Sequence, residues 1–387
     1  MTMTRMIAES HTRVSSLRRM NGAHTFLAAA VLLFGAAGTV AAQSPISPIY
    51  DPSIPFLPSA VITSTTVPSN GDVNPYGVAF IPGNFLTGKG PLKHGDILVS
   101  NYNNKNNLQG TGTTIVDIPG FATGKTPATV FFQGTAPLGL STGLGTLQYG
   151  FILVANLPTT DGTSATAKAG SILVINNQGK LISTIASADI DGPWDMTVVD
   201  NGDQAVVYVA NALNGTIGRL NLAVTTTSVT KVGATEIASG YGHQGDPAAL
   251  FDAPTGLVYD KTTDTLYVAS TLDNLVFGVP NASTRTSSDG PGFIVYDDSI
   301  HLHGALALAQ APNGDLLVTN NDVINSNPKL PSELVEFTKS GVWVKEIHLD
   351  PAQGGAFGLA VINDGDGTAR LAAVDDVTST LTVWTLE

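Results

Sequence analysis

A short strand ending in a small polar residue, most often Asn, recurs six times along this chain. The copies are Leu98-Val99-Ser100-Asn101, Leu153-Val154-Ala155-Asn156, Tyr208-Val209-Ala210-Asn211, Tyr267-Val268-Ala269-Ser270, Leu317-Val318-Thr319-Asn320 and Ala372-Ala373-Val374-Asp375. Successive copies are 55, 55, 59, 50 and 55 residues apart. A fixed period near this length is produced by propeller blades and by repeat arrays. It restricts the chain to architectures in which one supersecondary unit is used over and over.

Each unit opens on an apolar or aromatic residue, usually followed by Gly and then by an alternating strand. The openings are Pro75-Tyr76-Gly77-Val78, Pro137-Leu138-Gly139-Leu140, Pro193-Trp194-Asp195-Met196, Pro254-Thr255-Gly256-Leu257, Leu302-His303-Gly304-Ala305 and Ala356-Phe357-Gly358-Leu359. Gly at this place would let the innermost strands crowd around a narrow axis. A turn rich in Asn, Asp and Gly comes next, as in Asp200-Asn201-Gly202-Asp203 and Pro312-Asn313-Gly314-Asp315. The strand ending in Asn follows, then a third strand, then in most units a fourth. The reading is all-β: a six-bladed β-propeller of four-stranded antiparallel blades. The last unit has only three strands before the chain ends at Glu387. The β-branched run Ala60–Val67 supplies its fourth. This closes the ring through an N-terminal strand in the C-terminal blade and leaves no open edge there.

The unit resembles the NHL-type repeat of bacterial exported propellers. The likeness is best at Leu302–Asn320 and Pro254–Ser270. It implies a fold shared by binding modules and a few enzymes, so it fixes architecture and not activity. Propeller lactonases of the gluconolactonase type hold one divalent ion with Glu, Asn and Asp. The first-blade Glu of that set has no clear counterpart here.

Residues 1–42 read as a cleaved signal peptide. Arg13, Arg18 and Arg19 form the basic region, Phe26–Val40 the apolar stretch, and Val40-Ala41-Ala42 the cleavage site. Residues 43–59 carry Pro45, Pro48, Pro52, Pro55 and Pro58 and read as an extended arm. Residues 60–387 form a single domain. The expected product is secreted or periplasmic, with no membrane insertion after cleavage, and monomeric.

The leader takes four of the 18 basic and one of the 31 acidic residues, which leaves a mature net charge of −16. That balance argues against nucleic acid as a partner, which would need clustered Lys and Arg. There is no cysteine. Disulfides, thiolate metal sites, iron–sulfur clusters and cysteine nucleophiles are excluded.

In a propeller the unit openings and the ends of the Asn strands meet at one face. Loops at such a mouth, carried by a rigid scaffold, are where ligands usually bind. Candidates there are Tyr76, Trp194, Asp195, His303 and Phe357, with Leu138 and Thr255 completing the ring. Such a ring would stack a sugar or clasp an apolar side chain; the alternative is that the aromatics plug the axis as core. Asn101, Asn156, Asn211, Asn320 and Asp375 would coordinate a cation such as Ca²⁺ or bind hydroxyls; the alternative is that each side chain closes its own turn.

His301-Leu302-His303 alternates as in a strand, so both imidazoles would face one way. With His243 in the preceding inter-blade loop they make a candidate His/Asp site for a divalent cation, Ca²⁺ or Zn²⁺. Asn363-Asp364-Gly365-Asp366-Gly367 looks like the start of a calcium loop but falls where other units have a hairpin turn. Three top-face loops are long: Asn101–Gly112, Leu157–Gly170 and Asn321–Ser332. The expectation is an exported module binding a protein, a carbohydrate or a small ligand through these loops and the channel mouth. The alternative is a divalent-metal-dependent hydrolase, lactonase or lyase acting there.

Overall fold

The computed structural model describes residues 55–57, 62–120, 128–365 and 367–386. Residues 1–42, read from sequence as a signal peptide, and most of the Pro-rich segment 43–59 lie outside the described residues.

Six four-stranded antiparallel sheets succeed one another along the chain. Blade one comprises Val73–Phe80, Ile97–Asn103, Thr114–Ile118 and Thr129–Gln133. Blade two comprises Leu140–Leu147, Phe151–Asn156, Ser171–Asn176 and Leu181–Ile185. Blade three comprises Pro193–Asp200, Gln204–Asn211, Thr216–Val224 and Val229–Ser239. Blade four comprises Pro254–Asp260, Thr265–Ser270, Leu275–Pro280 and Phe293–Tyr296. Blade five comprises Ala305–Gln310, Leu316–Asn320, Glu333–Phe337 and Trp343–His348. Blade six takes Ala356–Asn363, Ala369–Asp375 and Thr380–Leu386 from the C-terminus and Ile62–Thr65 from the N-terminal side.

The ring closes as the orphan strand requires. Ile62 pairs with Val383 and Thr65 with Thr380. Thr66 extends the pairing by donating its N–H to Ser379 O at 3.0 Å. Each innermost strand packs against the innermost strands of both neighbouring blades, and that of blade six against that of blade one. The chain is an all-β six-bladed propeller.

The second strands explain why the repeat reads as an apolar run and not an alternation. Phe151 to Asn156 are buried without exception. A strand inside a blade is covered on both faces by adjacent blades, so both of its sides must be apolar. Five buried clusters lie between adjacent blades, and a sixth joins blades six and one and continues through Trp194, Phe251 and Leu306 of other blades. The expected crowding at the axis is present. A Cβ on Gly358 would collide with the carbonyl oxygen of Tyr76 in the next blade, and one on Gly256 with the backbone of Leu306 and Leu308.

Candidate functional site

In blades two to six the last residue of the second strand pairs with the first residue of the innermost strand, and in blade one the equivalent pair lies two residues inside the ladder. The pairs are Pro75 with Asn101, Leu140 with Asn156, Pro193 with Asn211, Pro254 with Ser270, Ala305 with Asn320 and Ala356 with Asp375. A β-bulge follows each pair at once. The residue after the pair is buried in five blades, as Tyr76, Trp194, Thr255, Leu306 and Phe357, and Tyr76, Trp194, Leu306 and Phe357 share one apolar cluster. The register therefore corrects the sequence alignment in two blades. In blade five the slot belongs to Leu306, and His303 lies two residues before the strand begins. In blade two, Leu138 likewise precedes the strand. The sequence misplaced both because an apolar-Gly dipeptide occurs in the approach loop as well as in the bulge.

Tyr76, Trp194 and Phe357 come together. The Tyr76 ring centroid lies 4.6 Å from Phe357 and 5.5 Å from Trp194. Tyr102 joins at 4.9 Å from Tyr76 and 5.8 Å from Trp194, and Phe251 lies 6.3 Å from Trp194. Phe251 is delivered by an added hairpin, Gln244–Asp246 with Leu250–Asp252. All five rings are buried. Edge and tilted contacts of this kind are packing contacts. The aromatics fill the axis at the top face with their rings spent on one another, and burial pushes the Tyr76 phenol well above its ordinary range.

The polar strand ends are taken up locally: in blades one, two, three and five they tie the strand to its approach loop, and in blade six Asp375 closes the turn that follows. Asn156 Oδ1 accepts from Gly139 N, Asn211 Oδ1 from Asp191 N and Asn320 Oδ1 from His303 N, each at 3.0 Å. Asn101 Nδ2 donates to Thr66 O at 3.1 Å. Asp375 accepts from the backbone and the hydroxyl of Thr378. In blades two, three and five the same amide oxygen does the same local task.

Below the aromatic plug the axis opens into a cavity of about 250 Å³. Its walls are innermost-strand residues, among them Val78, Leu144, Met196, Leu257, Leu308 and Leu359. Asp195 and Gly358 lie at the plugged end and Gln310 and Val361 toward the other ends of the strands. Asp195 carries the one carboxylate of the lining. It stands in the bulge where blades one, four and six have Gly77, Gly256 and Gly358. Its Oδ1 accepts from Met196 N at 2.7 Å and its Oδ2 from Leu257 N of blade four at 3.1 Å. Burial raises its pKa to about 7 against those two hydrogen bonds. The carboxyl thus changes charge near neutrality in a channel whose side chains are mostly apolar.

The three sequence-predicted metal ligands separate. His243 Nδ1 lies 3.1 Å from Tyr241 O. His301 Nδ1 lies 2.7 Å from Asp298 Oδ2, and its ring stacks on Trp343 at 4.7 Å. The 301–303 segment is a turn, so alternation does not hold and the two imidazoles take different partners. His303 is buried and meets Glu333, its Nδ1 3.2 Å from Glu333 Oε1. Asp322 completes a group whose ligand atoms all lie within 4.8 Å of one another. The hydrogen bond to Glu333 raises the His303 pKa, and burial raises that of Asp322.

Asp322 and Glu333 were missed from sequence. One signal was readable. Glu333 opens the third strand of its blade, where Thr114, Ser171, Thr216 and Thr380 open four others. A Glu in a Thr/Ser position at the end of a buried ladder needs a partner.

No protein-family model matches the chain, and no curated protein matches it by sequence. Solved structures do. A luciferin-regenerating enzyme aligns with a TM-score of 0.50 at 11% identity, over 84% of this chain and 95% of its own. A calcium-binding protein, regucalcin, from Agrobacterium tumefaciens aligns with a TM-score of 0.49 at 12% identity, over the same shares. A GH93 α-L-arabinofuranosidase of Fusarium graminearum, in complex with arabinobiose, aligns with a TM-score of 0.48 at 10% identity, over 84% of this chain and 97% of its own. These likenesses concern the propeller fold, which carries many unrelated activities.

Proposed function

We propose that this chain is an exported propeller that binds a small ligand in its axial channel. The ligand's apolar body would lie along the innermost strands, and a cationic or hydroxyl-bearing head would meet Asp195. One observation carries the reading: the single carboxylate of the lining stands at the plugged end of a cavity of about 250 Å³ walled mostly by apolar side chains, at a position where three other blades have Gly. A ligand site of this kind is mostly apolar, with few polar groups placed to orient the occupant. Export rests on the basic, apolar and small-residue order of residues 1–42. The top face is the poorer place for such a ligand, because the aromatics there are packed against one another.

The test is a calorimetric and thermal-shift screen of the chain from residue 43 onward against small amphiphilic amines, alcohols and their uncharged, hydroxyl-free analogues. Asp195→Ala is screened in parallel. Binding of amine or alcohol ligands that weakens at least tenfold in the variant supports the reading. Binding that ignores the variant, or no binding across the set, overturns it. N-terminal sequencing of protein recovered from outside the cytoplasm tests export, with Gln43 as the expected first residue.

A further inference from the structure

We infer that His303, Asp322 and Glu333 form a buried site for one divalent transition-metal ion, Zn²⁺ by its ligand chemistry. The site is independent of the channel, since none of the three residues lines that cavity.

The geometry comes first. An imidazole nitrogen and two carboxylate oxygens lie within 4.8 Å of one another, and the Nδ1–Oε1 pair is at 3.2 Å. Ligand atoms around one ion at ~2.1 Å lie about 3.4 Å apart in a tetrahedral site. The group is thus within a small side-chain adjustment of coordination.

Charge comes second. The His303 and Glu333 side chains are 3% and 1% exposed. Among the described residues no lysine or arginine pairs with Asp322 or Glu333. An imidazolium would neutralise one carboxylate and leave the other buried without a counter-charge, which is costly. A divalent ion bound to a neutral imidazole neutralises both.

An orphaned atom points the same way. Asp322 is buried, and its Oδ1 has no hydrogen-bond partner. Its Oδ2 accepts from Ser332 N and Gly354 N, each at 2.9 Å, which holds the carboxylate in place while Oδ1 stays unused. Glu333 Oε2 is likewise held by Asn320 Nδ2 at 3.0 Å. Outer contacts that orient ligands are the ordinary surroundings of a metal site, and a bound ion would replace the hydrogen bond between His303 Nδ1 and Glu333 Oε1.

The donor set selects the ion. One imidazole with two carboxylates suits Zn²⁺ and its neighbours better than Ca²⁺, which takes six to eight oxygens. Three protein ligands leave the fourth place of a tetrahedral shell to water, and the buried ion would act by holding its three segments in place. Asp322 and Glu333 stand at the two ends of the loop Asn321–Ser332, and His303 stands in the approach to blade five. The ion would staple these segments together, with blade six attached through Gly354.

The experiment uses the chain from residue 43 onward, stripped with a chelator and dialysed against Zn²⁺, against Co²⁺ or against Ca²⁺. One equivalent of Zn²⁺ per chain is expected, with a raised Tm that chelator reverses, visible Co²⁺ bands of a four-coordinate site, and no response to Ca²⁺. Asp322→Asn and Glu333→Gln are close in shape to the native side chains. Each should retain a folded near-ultraviolet spectrum and lower Zn²⁺ affinity at least tenfold. Absence of stoichiometric Zn²⁺ in the wild type would overturn the inference, as would equal uptake by the double variant. The wild-type Co²⁺ spectrum decides the matter even if both variants misfold.

Discussion

The buried carboxylate of Glu336 accepts a hydrogen bond at 2.7 Å from the backbone N–H of Phe56, 280 residues earlier in the chain. Its second oxygen accepts from Leu57 N at 2.9 Å. Asn313 Nδ2 supports the first oxygen at 2.9 Å, and Lys345 Nζ donates to Leu57 O at 2.8 Å. Phe56 and Leu57 are buried in the cluster shared by blades five and six. Phe56 and Leu57 of the Pro-rich segment are therefore fastened to the propeller.

Glu336→Ala removes the acceptor for two buried N–H groups and for Asn313. The expected cost is about 2–4 kcal/mol, from charge-assisted hydrogen bonds lost and donors left unpaired. Glu336→Gln, which keeps one acceptor, should cost less. Urea denaturation of both variants at constant m-value checks the order.

Ring closure has a second fastener besides the N-terminal strand. Arg370 of blade six is buried, with Nη2 and Nε held by Asp364 at 2.7 and 2.8 Å. Its Nη1 reaches Gly95 O and Gly120 O of the blade-one region, each at 3.1 Å, and its guanidinium lies 5.0 Å over the Phe80 ring. Arg370→Lys should lose about 3 kcal/mol or more, because an ammonium cannot make this fork. Deleting residues 43–68 should lower the Tm further, since it exposes the edge of Thr380–Leu386 and its apolar face. An unchanged melting curve in either case would refute the two-fastener account.

Gly358→Ala should be among the most destabilising single-methyl additions in the chain. The new Cβ meets the carbonyl of Tyr76, a backbone atom that cannot swing aside. A loss of about 3 kcal/mol is expected. Gly314→Ala fills open space at φ +95° and should suffer only the backbone penalty, about 1 kcal/mol. Thermal melts of the pair separate axial crowding from turn strain.

The blades were legible because each repeats the same apolar strands and the same turn chemistry, and the strand Ile62–Thr65 because a three-stranded last unit demanded a partner. The site was less so. Which residue sits in the bulge depends on a register shift that Leu138-Gly139 and His303-Gly304 imitate. Whether an aromatic ring is open or packed depends on a hairpin, Leu250–Asp252, that follows no repeat. Glu333 and Asp322 are joined to His303 only by folding, at separations of 30 and 19 residues. Asp195 alone showed itself directly, as an acid where the pattern has Gly.

That acid gives the last prediction its sign. The fold holds the Asp195 carboxyl protonated up to about pH 7, whereas an unperturbed aspartate ionises near 3.8. Between those values the native state binds the extra proton, so this residue makes stability fall as pH rises from about 4 to 7. Asp117 and Asp376, both raised to about 7 by burial first, add to the same slope. The difference between wild type and Asp195→Asn isolates the one residue. The variant should gain stability over the wild type as pH rises through this window, levelling above pH 7 at about 2–4 kcal/mol. Near pH 4 the two should converge. Binding of an amine in the channel should run the other way. It needs the ionised carboxylate, so wild-type affinity should rise through pH 7 while the variant stays weak and flat. A stability difference that is constant from pH 4 to 8 would mean that Asp195 ionises normally, and the channel would then lack the group that orients its ligand.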